Sequence, residues 1–170
     1  MRDEIERRFL VADPAVVEGR RGTRLVQGYL CRGGERTVRL RLAVAPDGRE
    51  RAWLTVKGPS RLVDGALVRP EWEVELPPAE AREGLALCPP HLVEKTRHRL
   101  DHAGRSWELD VFHGENEGLA IAEIELGAPG EEFDPPPWLG REISAEPGLG
   151  NAALAERPWS SRSARERALA

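Results

Sequence analysis

The sequence predicts a mainly β chain with a few helices, arranged as a closed, eight-stranded antiparallel β-barrel. Three observations lead there. Alternating polar and apolar residues fill most of the chain, which is the period of a strand and not of a helix. Turn residues punctuate the runs at short intervals. The runs number eight, enough for an antiparallel sheet to close on itself.

The first run covers residues 2–12. In it Glu4, Glu6 and Arg8 share one face while Ile5, Phe9 and Val11 share the other. Leu25 to Cys31 is the second, ended by Gly33-Gly34. Thr37 to Val44 is the third, closed by Pro46-Asp47-Gly48, and Arg51 to Lys57 is the fourth, closed by Gly58-Pro59. Val68 to Leu76 is the fifth. Val93 to His102 and Ser106 to Phe112 follow, with Ala103-Gly104 as the turn between them, and Leu119 to Leu126 is the eighth. One helix is expected from Pro77-Pro78 to near Leu87, because prolines fit a first turn and its acids suit the positive helix end. A second, short helix is expected over Asn151 to Glu156 with Asn151 as N-cap. Residues 1–156 read as one domain, and residues 157–170 as a tail with little pattern, expected to fray.

Composition narrows the function classes. The 170 residues carry 25 Lys and Arg against 29 Asp and Glu, a net charge of −4, which disfavours a duplex nucleic-acid binder. No apolar run approaches the roughly 18 residues that span a bilayer, and no apolar signal core is seen, so a cytoplasmic location without membrane partners is expected. Cys31 and Cys88 lie far apart and read as small apolar residues, not as a zinc site or disulfide framework.

Charges recur at intervals of two: Arg39 and Arg41; Glu71, Glu73 and Glu75; Lys95, Arg97 and Arg99; Glu108 and Asp110; Glu123 and Glu125. On any single strand this is the solvated face of a half-buried sheet. Taken together, acids gather on the first, fifth and eighth runs and bases on the third, fourth and sixth. If the sheet closes with these faces inward, an interior of both signs is costly unless the groups pair or bind ions. Carboxylates suit a hard divalent cation such as magnesium or manganese. Arginine and lysine suit phosphate oxygens. The combination describes a site for a metal-bound polyphosphate. Phe112 falls on the charged face of its strand and does not fit this pattern.

The ordered motifs resemble the CYTH, or triphosphate tunnel metalloenzyme, superfamily. They are Glu4-Ile5-Glu6-Arg7-Arg8, similar to the E-x-E-x-K signature; Gln27-Gly28-Tyr29-Leu30; Arg39-Leu40-Arg41; Thr55-Val56-Lys57; Arg69 with Glu71-Trp72-Glu73; Glu94-Lys95-Thr96-Arg97; Glu108-Leu109-Asp110; Glu123-Ile124-Glu125; and Pro136-Pro137-Trp138 and Asn151-Ala152-Ala153-Leu154-Ala155. The resemblance implies that the barrel forms a tunnel, and that the chain is a divalent-metal-dependent hydrolase of triphosphates. The short bacterial members imply inorganic tripolyphosphate as substrate. An adenylate cyclase, a nucleoside or thiamine triphosphatase, and a non-catalytic polyphosphate-binding module are the alternatives.

Under that resemblance Glu4, Glu6, Asp110, Glu123 and Glu125 hold magnesium or manganese. Arg8, Arg39, Arg41, Lys57, Arg69, Lys95 and Arg97 bind the phosphates. Glu6 or Glu73 orients water, with Arg8 and Lys57 acting beside the reacting group. Glu71 is a further ligand candidate, and Tyr29 is either a tunnel residue or a core aromatic. Two departures stand out: Arg8 replaces the signature lysine and cannot usefully lose a proton, and Gly148-Leu149-Gly150 stands where relatives often carry a basic residue or tyrosine. His91, His98, His102 and His113 read as surface residues, and Trp53, Trp72, Trp107 and Trp138 as packing residues.

Overall fold

The eight predicted runs are the staves of a barrel. A computed structural model describes residues 2–33, 36–88 and 91–169, so that Met1, Gly34 and Ala170 of the sequence reading lie outside the described residues. The barrel strands are β1 (Arg2–Val11), β2 (Thr23–Gly33), β3 (Arg36–Val44), β4 (Glu50–Lys57), β6 (Ala66–Leu76), β7 (Val93–His102), β8 (Arg105–His113) and β9 (Ala120–Glu125). They pair antiparallel in the order β1-β9-β8-β7-β2-β3-β4-β6, and β6 returns to β1 from Leu67 to Glu71.

Two short strands escape the alternation argument. The first, β5 (Arg61–Val63), is a hairpin onto β6. Its turn is Asp64-Gly65, with φ of 47° and 80°, the left-handed pair that a two-residue turn needs. The other, β10 (Leu139–Glu142), lies along the end of β1. The expected Ala103-Gly104 turn takes the same form, with φ of 47° and 76°.

Alternation sends the two side-chain sets to opposite faces of the closed sheet. Two outer walls are apolar and covered. Phe9, Trp107, Leu109, Ala122 and Ile124 pack with Phe133 and Trp138 of the segment after β9. Helix α1 (Pro78–Ala86) lays Ala81 and Leu85 on Leu40, Leu42 and Ala52. It lies so close to the sheet that a Cβ on Gly84 would press on a Leu40 methyl group, and a larger residue there would need Leu40 to shift. The third cluster is different. Tyr29, Val93, Phe112 and Ile121 belong to the inward-facing set, and they meet Ile143, Leu149, Leu154, Ala155 and Trp159 from the C-terminal part of the chain. This is an apolar plug in one end of the barrel. Phe112 is 2% exposed in it, which explains the misfit on the charged face of β8.

Helix α2 (Asn151–Glu156) carries the plug residues Leu154 and Ala155. Asn151 is not its N-cap as expected. Gly150 takes that place, and the Asn151 amide oxygen instead accepts from Lys95 Nζ at 3.1 Å. The tail also differs from a frayed segment. Trp159 is buried, with its backbone N–H donating to Asn116 Oδ1 at 2.8 Å, and α3 (Ala164–Leu169) follows. One aromatic anchor, not a periodic pattern, holds this segment. His98 is likewise corrected: it is 7% exposed, not a surface residue, and burial lowers its pKa.

Candidate active site: a tunnel of opposed charges

Three groups of charged side chains fill the barrel below the plug. The first lies where β6 closes onto β1. Lys57 Nζ donates to both Glu4 oxygens at 2.9 and 2.7 Å and lies 2.8 Å from Glu71. Arg69 bridges Glu4 at 2.6 Å and Glu6 at 3.0 Å. Glu4 and Glu6 sit two residues apart on one strand, yet their protonation behaviour is opposite. Burial works against the Glu4 charge, but Lys57 and Arg69 outweigh it and hold the carboxyl down at about 2. Burial pushes Glu6 up to about 7, and the nearby Glu123 and Glu4 carboxylates add to the push.

The second group spans β7, β8 and β9. Asp110 accepts from Lys95 at 2.6 Å and from Arg97 through two bonds of 2.7 and 2.6 Å. Arg97 also reaches Glu123 at 3.1 Å and pairs with Glu108. Burial opposes charge on Asp110, but Arg97 and Lys95 together hold its carboxyl well below the usual range. Asp110 and Lys95 are each 1% exposed.

The third group faces these from β3 and β4. Arg39 donates to Thr55 Oγ1 at 3.1 Å and lies 3.7 Å from Glu73. Arg41 reaches the same Glu73 oxygen at 3.3 Å, and Thr55 donates to it at 2.7 Å. Two guanidiniums thus share one carboxylate. Their Nε–H groups are buried without an acceptor among the described residues. Burial, then Arg39 and Arg97, lower the Arg41 pKa to about 10. This corner of the tunnel holds more positive charge than it can neutralise.

A cavity of 340 Å³ opens between the plug and β5. Arg8, Arg39, Lys57, Arg69, Glu6, Glu123 and Tyr29 are among its lining residues. Arg8 is tied in by Glu123, 3.4 Å from its Nε, and by the Leu149 carbonyl, which accepts from its Nη2. The two departures noted in the sequence, Arg8 and the Gly148-Leu149-Gly150 segment, therefore meet. Tyr29 turns out to serve both of its readings, since it lines the cavity and belongs to the plug.

The sequence-predicted set is only partly brought together. Arg41, Lys95 and Arg97 do not line the cavity, and Lys95 and Arg97 are in addition wrapped by acids. Asp110 is consumed by those same cations instead of facing Glu4 and Glu6. Glu125 pairs in register with Glu6 but is exposed at the end of β9. As they stand, no three Asp, Glu, His or Cys among the described residues are grouped to hold one ion. Glu4 and Glu123 are turned onto Lys57, Arg69 and Arg97. The donor set nonetheless fits a divalent cation around Glu6, whose one side-chain hydrogen bond among the described residues is from Arg69 and whose charge is opposed by Glu123 and Glu4.

Sequence reasoning missed two features. Trp53, read as a packing residue, carries an arginine on its ring, with Arg41 4.9 Å from the ring centroid. The lysine usage was also overlooked. Of the 25 Lys and Arg residues only two are lysine, Lys57 and Lys95, and both lie inside the barrel, 8% and 1% exposed.

A closed eight-stranded barrel lined by opposed charges places the chain in a recognisable class. It belongs to the CYTH domain family, whose profile matches residues 2–157. Among curated relatives, an inorganic triphosphatase of Acetivibrio thermocellus is 38% identical over 160 residues, 94% of this chain and 97% of that protein. An inorganic triphosphatase of Nitrosomonas europaea is 33% identical over 157 residues, 89% of this chain and 96% of that protein. Among solved structures, that of the inorganic triphosphatase NE1496 superposes with a TM-score of 0.60 at 30% identity, covering 91% of this chain and 95% of that one.

Proposed function

We propose that this chain is a divalent-metal-dependent triphosphatase that hydrolyses inorganic tripolyphosphate to phosphate and pyrophosphate. The observation that carries the reading is the pair of buried Nε–H donors on Arg39 and Arg41, which lack acceptors beside a single shared carboxylate. Buried donors without partners cost stability, and a chain of phosphate oxygens is the ligand that would satisfy both. The triphosphatase names of the two curated relatives support the same substrate class.

In this reading Arg8, Arg39, Arg41, Lys57 and Arg69 hold phosphate oxygens and offset the negative charge that builds on the leaving group. Magnesium or manganese would be held by Glu6 with Glu4 and Glu123; Glu125 at the rim is a further candidate, and Asp110 supports from behind Arg97. When bound, the cation supplies charge neutralisation on the phosphate and acidifies water. Glu73 is committed to Thr55, Arg39 and Arg41, so its task is to aim the arginines. Glu6, with one internal bond, is the carboxylate free to orient the attacking water. The apolar plug excludes solvent from one end of the tunnel, which strengthens every charge interaction inside.

The test is phosphate release from tripolyphosphate, ATP, GTP, thiamine triphosphate and pyrophosphate, each with magnesium, manganese or EDTA. Turnover of tripolyphosphate above the others, abolished by EDTA and restored by either metal, is the expected result. Full turnover in EDTA would end the metal assignment. No turnover of any triphosphate would end the enzyme reading.

A further inference from the structure

Arg41 is one of the two arginines that share Glu73 on the β3 wall. Its one side-chain hydrogen bond among the described residues, to Glu73, is 3.3 Å long, near the limit for such a bond. Arg39 and Arg97 repel it, and the acids Glu73 and Glu108 attract it. A flexible arginine in that position would be expected to fold onto the nearest carboxylate and spend its donors there. It spends one donor on Glu73, while its Nε–H stays without an acceptor among the described residues.

Beside it on the neighbouring strand stands an aromatic ring. Trp53 is the residue paired with Arg41 across β3 and β4. The Arg41 guanidinium lies 4.9 Å from the Trp53 ring centroid, and Arg51 lies 4.8 Å from it. Arg51 is itself fixed by two bonds to Glu75, of 2.9 and 2.7 Å. The indole is thus clamped from one side by a neutralised arginine, and it presents a π-face to Arg41. An aromatic face attracts a guanidinium without using any of its N–H donors. That is the support an anion-binding arginine needs, because a carboxylate support would compete with the anion.

We propose that Trp53 is a positioning residue for phosphate binding, which stacks on Arg41 and keeps the guanidinium from closing further onto Glu73, so that its Nε–H stays open to the substrate. The inference rests on the triphosphatase reading for its substrate but not for its geometry. Trp53 touches no reacting atom, and its effect runs through Arg41 alone.

The experiment pairs kinetics with a spectroscopic readout of Arg41. Trp53→Leu should raise KM for tripolyphosphate about tenfold with kcat kept within about twofold. Trp53→Phe, which restores a smaller ring, should recover most of the loss. Trp53→Leu placed on Arg41→Ala should add no further loss, because the ring then has no guanidinium to position. In nitrogen-resolved NMR the Arg41 Nε–H resonance, assigned by its disappearance in Arg41→Lys, should lose its ring-current shift in Trp53→Leu and regain part of it in Trp53→Phe. An unchanged KM, a loss confined to kcat, an added loss on Arg41→Ala, or an unmoved resonance would each overturn the proposal. Should Trp53→Leu fail to fold, Trp53→Phe against wild type decides: a partial KM rise with a partial resonance shift supports it, and no change in either overturns it. If the wild-type protein turns over no triphosphate, the functional reading falls, and the resonance alone decides whether the stack exists.

Discussion

The two basic walls of the tunnel use the same side chains and reach opposite outcomes. On β7, Lys95 and Arg97 meet Asp110, Glu108 and Glu123, so each cation has at least one full counter-charge. On β3, Arg39 and Arg41 share Glu73 at 3.7 and 3.3 Å, and both keep an Nε–H unpaired. The first wall is satisfied internally, and the second keeps two buried donors unpaired among the described residues. Residue type therefore does not distinguish a fully paired charge from one with donors to spare; the local count of acids does. Buried charge that is paired and hydrogen-bonded rigidifies a fold, and buried charge in excess is a binding site awaiting its counter-ion.

The largest effect should come from breaking the satisfied wall. Asp110→Asn keeps the shape but leaves Lys95 and Arg97 buried with a lost counter-charge, and should cost about 3–5 kcal/mol of stability. Urea denaturation measures it; a loss under about 1 kcal/mol would mean that the β7 wall is no more structural than the other. On the unsatisfied wall the balance should invert. Arg41→Ala removes a cation repelled by Arg39 and Arg97, so the thermal midpoint should hold or rise. Tripolyphosphate binding should weaken by roughly 1.5–3 kcal/mol, the value of a charge-assisted hydrogen bond. A destabilised Arg41→Ala that binds normally would reverse the assignment of the two walls.

A smaller effect comes from an ion pair outside the tunnel, which sets the baseline for both walls. Arg7 grips Glu142 and so fastens β10 to β1, with Nε to Oε1 at 2.8 Å. The Arg7 hydrogen bond lowers the Glu142 pKa below its ordinary 4.5. A depressed carboxylate pKa gives stability that is present above the unfolded value and is lost as pH falls through the folded one. Both side chains are partly exposed, so the contribution should be about 0.2–1 kcal/mol. Glu142→Gln should remove that amount at pH 6 and leave stability nearly unchanged at pH 2. Equal losses at both pH values would show that packing, not charge, holds this strap.

The barrel strands were legible because period two and turn chemistry are local properties. Only β5 and β10 escaped, three and four residues long, and Asp64-Gly65 was the available signal for the first. The charged residues were legible as a tunnel lining, yet their division of labour was not. Whether Lys95 meets a phosphate or Asp110 depends on which acid stands opposite in the register, and a single strand does not carry that information. Phe112 shows the same limit, since its place on the charged face makes sense only once residues 143–159 are seen to cap the barrel. Trp53 was read as a packing residue, but its partners were not legible, because an aromatic at a strand position looks alike whether it packs on leucine or on arginine.

The scarcity of lysine gives the molecule an unusual chemical surface. Every exposed basic side chain among the described residues is an arginine or histidine, so reagents that seek side-chain amines find no target outside the barrel. Of the two inside, Lys57 lines the cavity and Lys95 does not. A small anionic aldehyde followed by borohydride reduction should therefore add one side-chain tag, at Lys57. Occupancy of the tunnel then becomes something that can be weighed, because whatever fills the cavity protects that amine from the reagent.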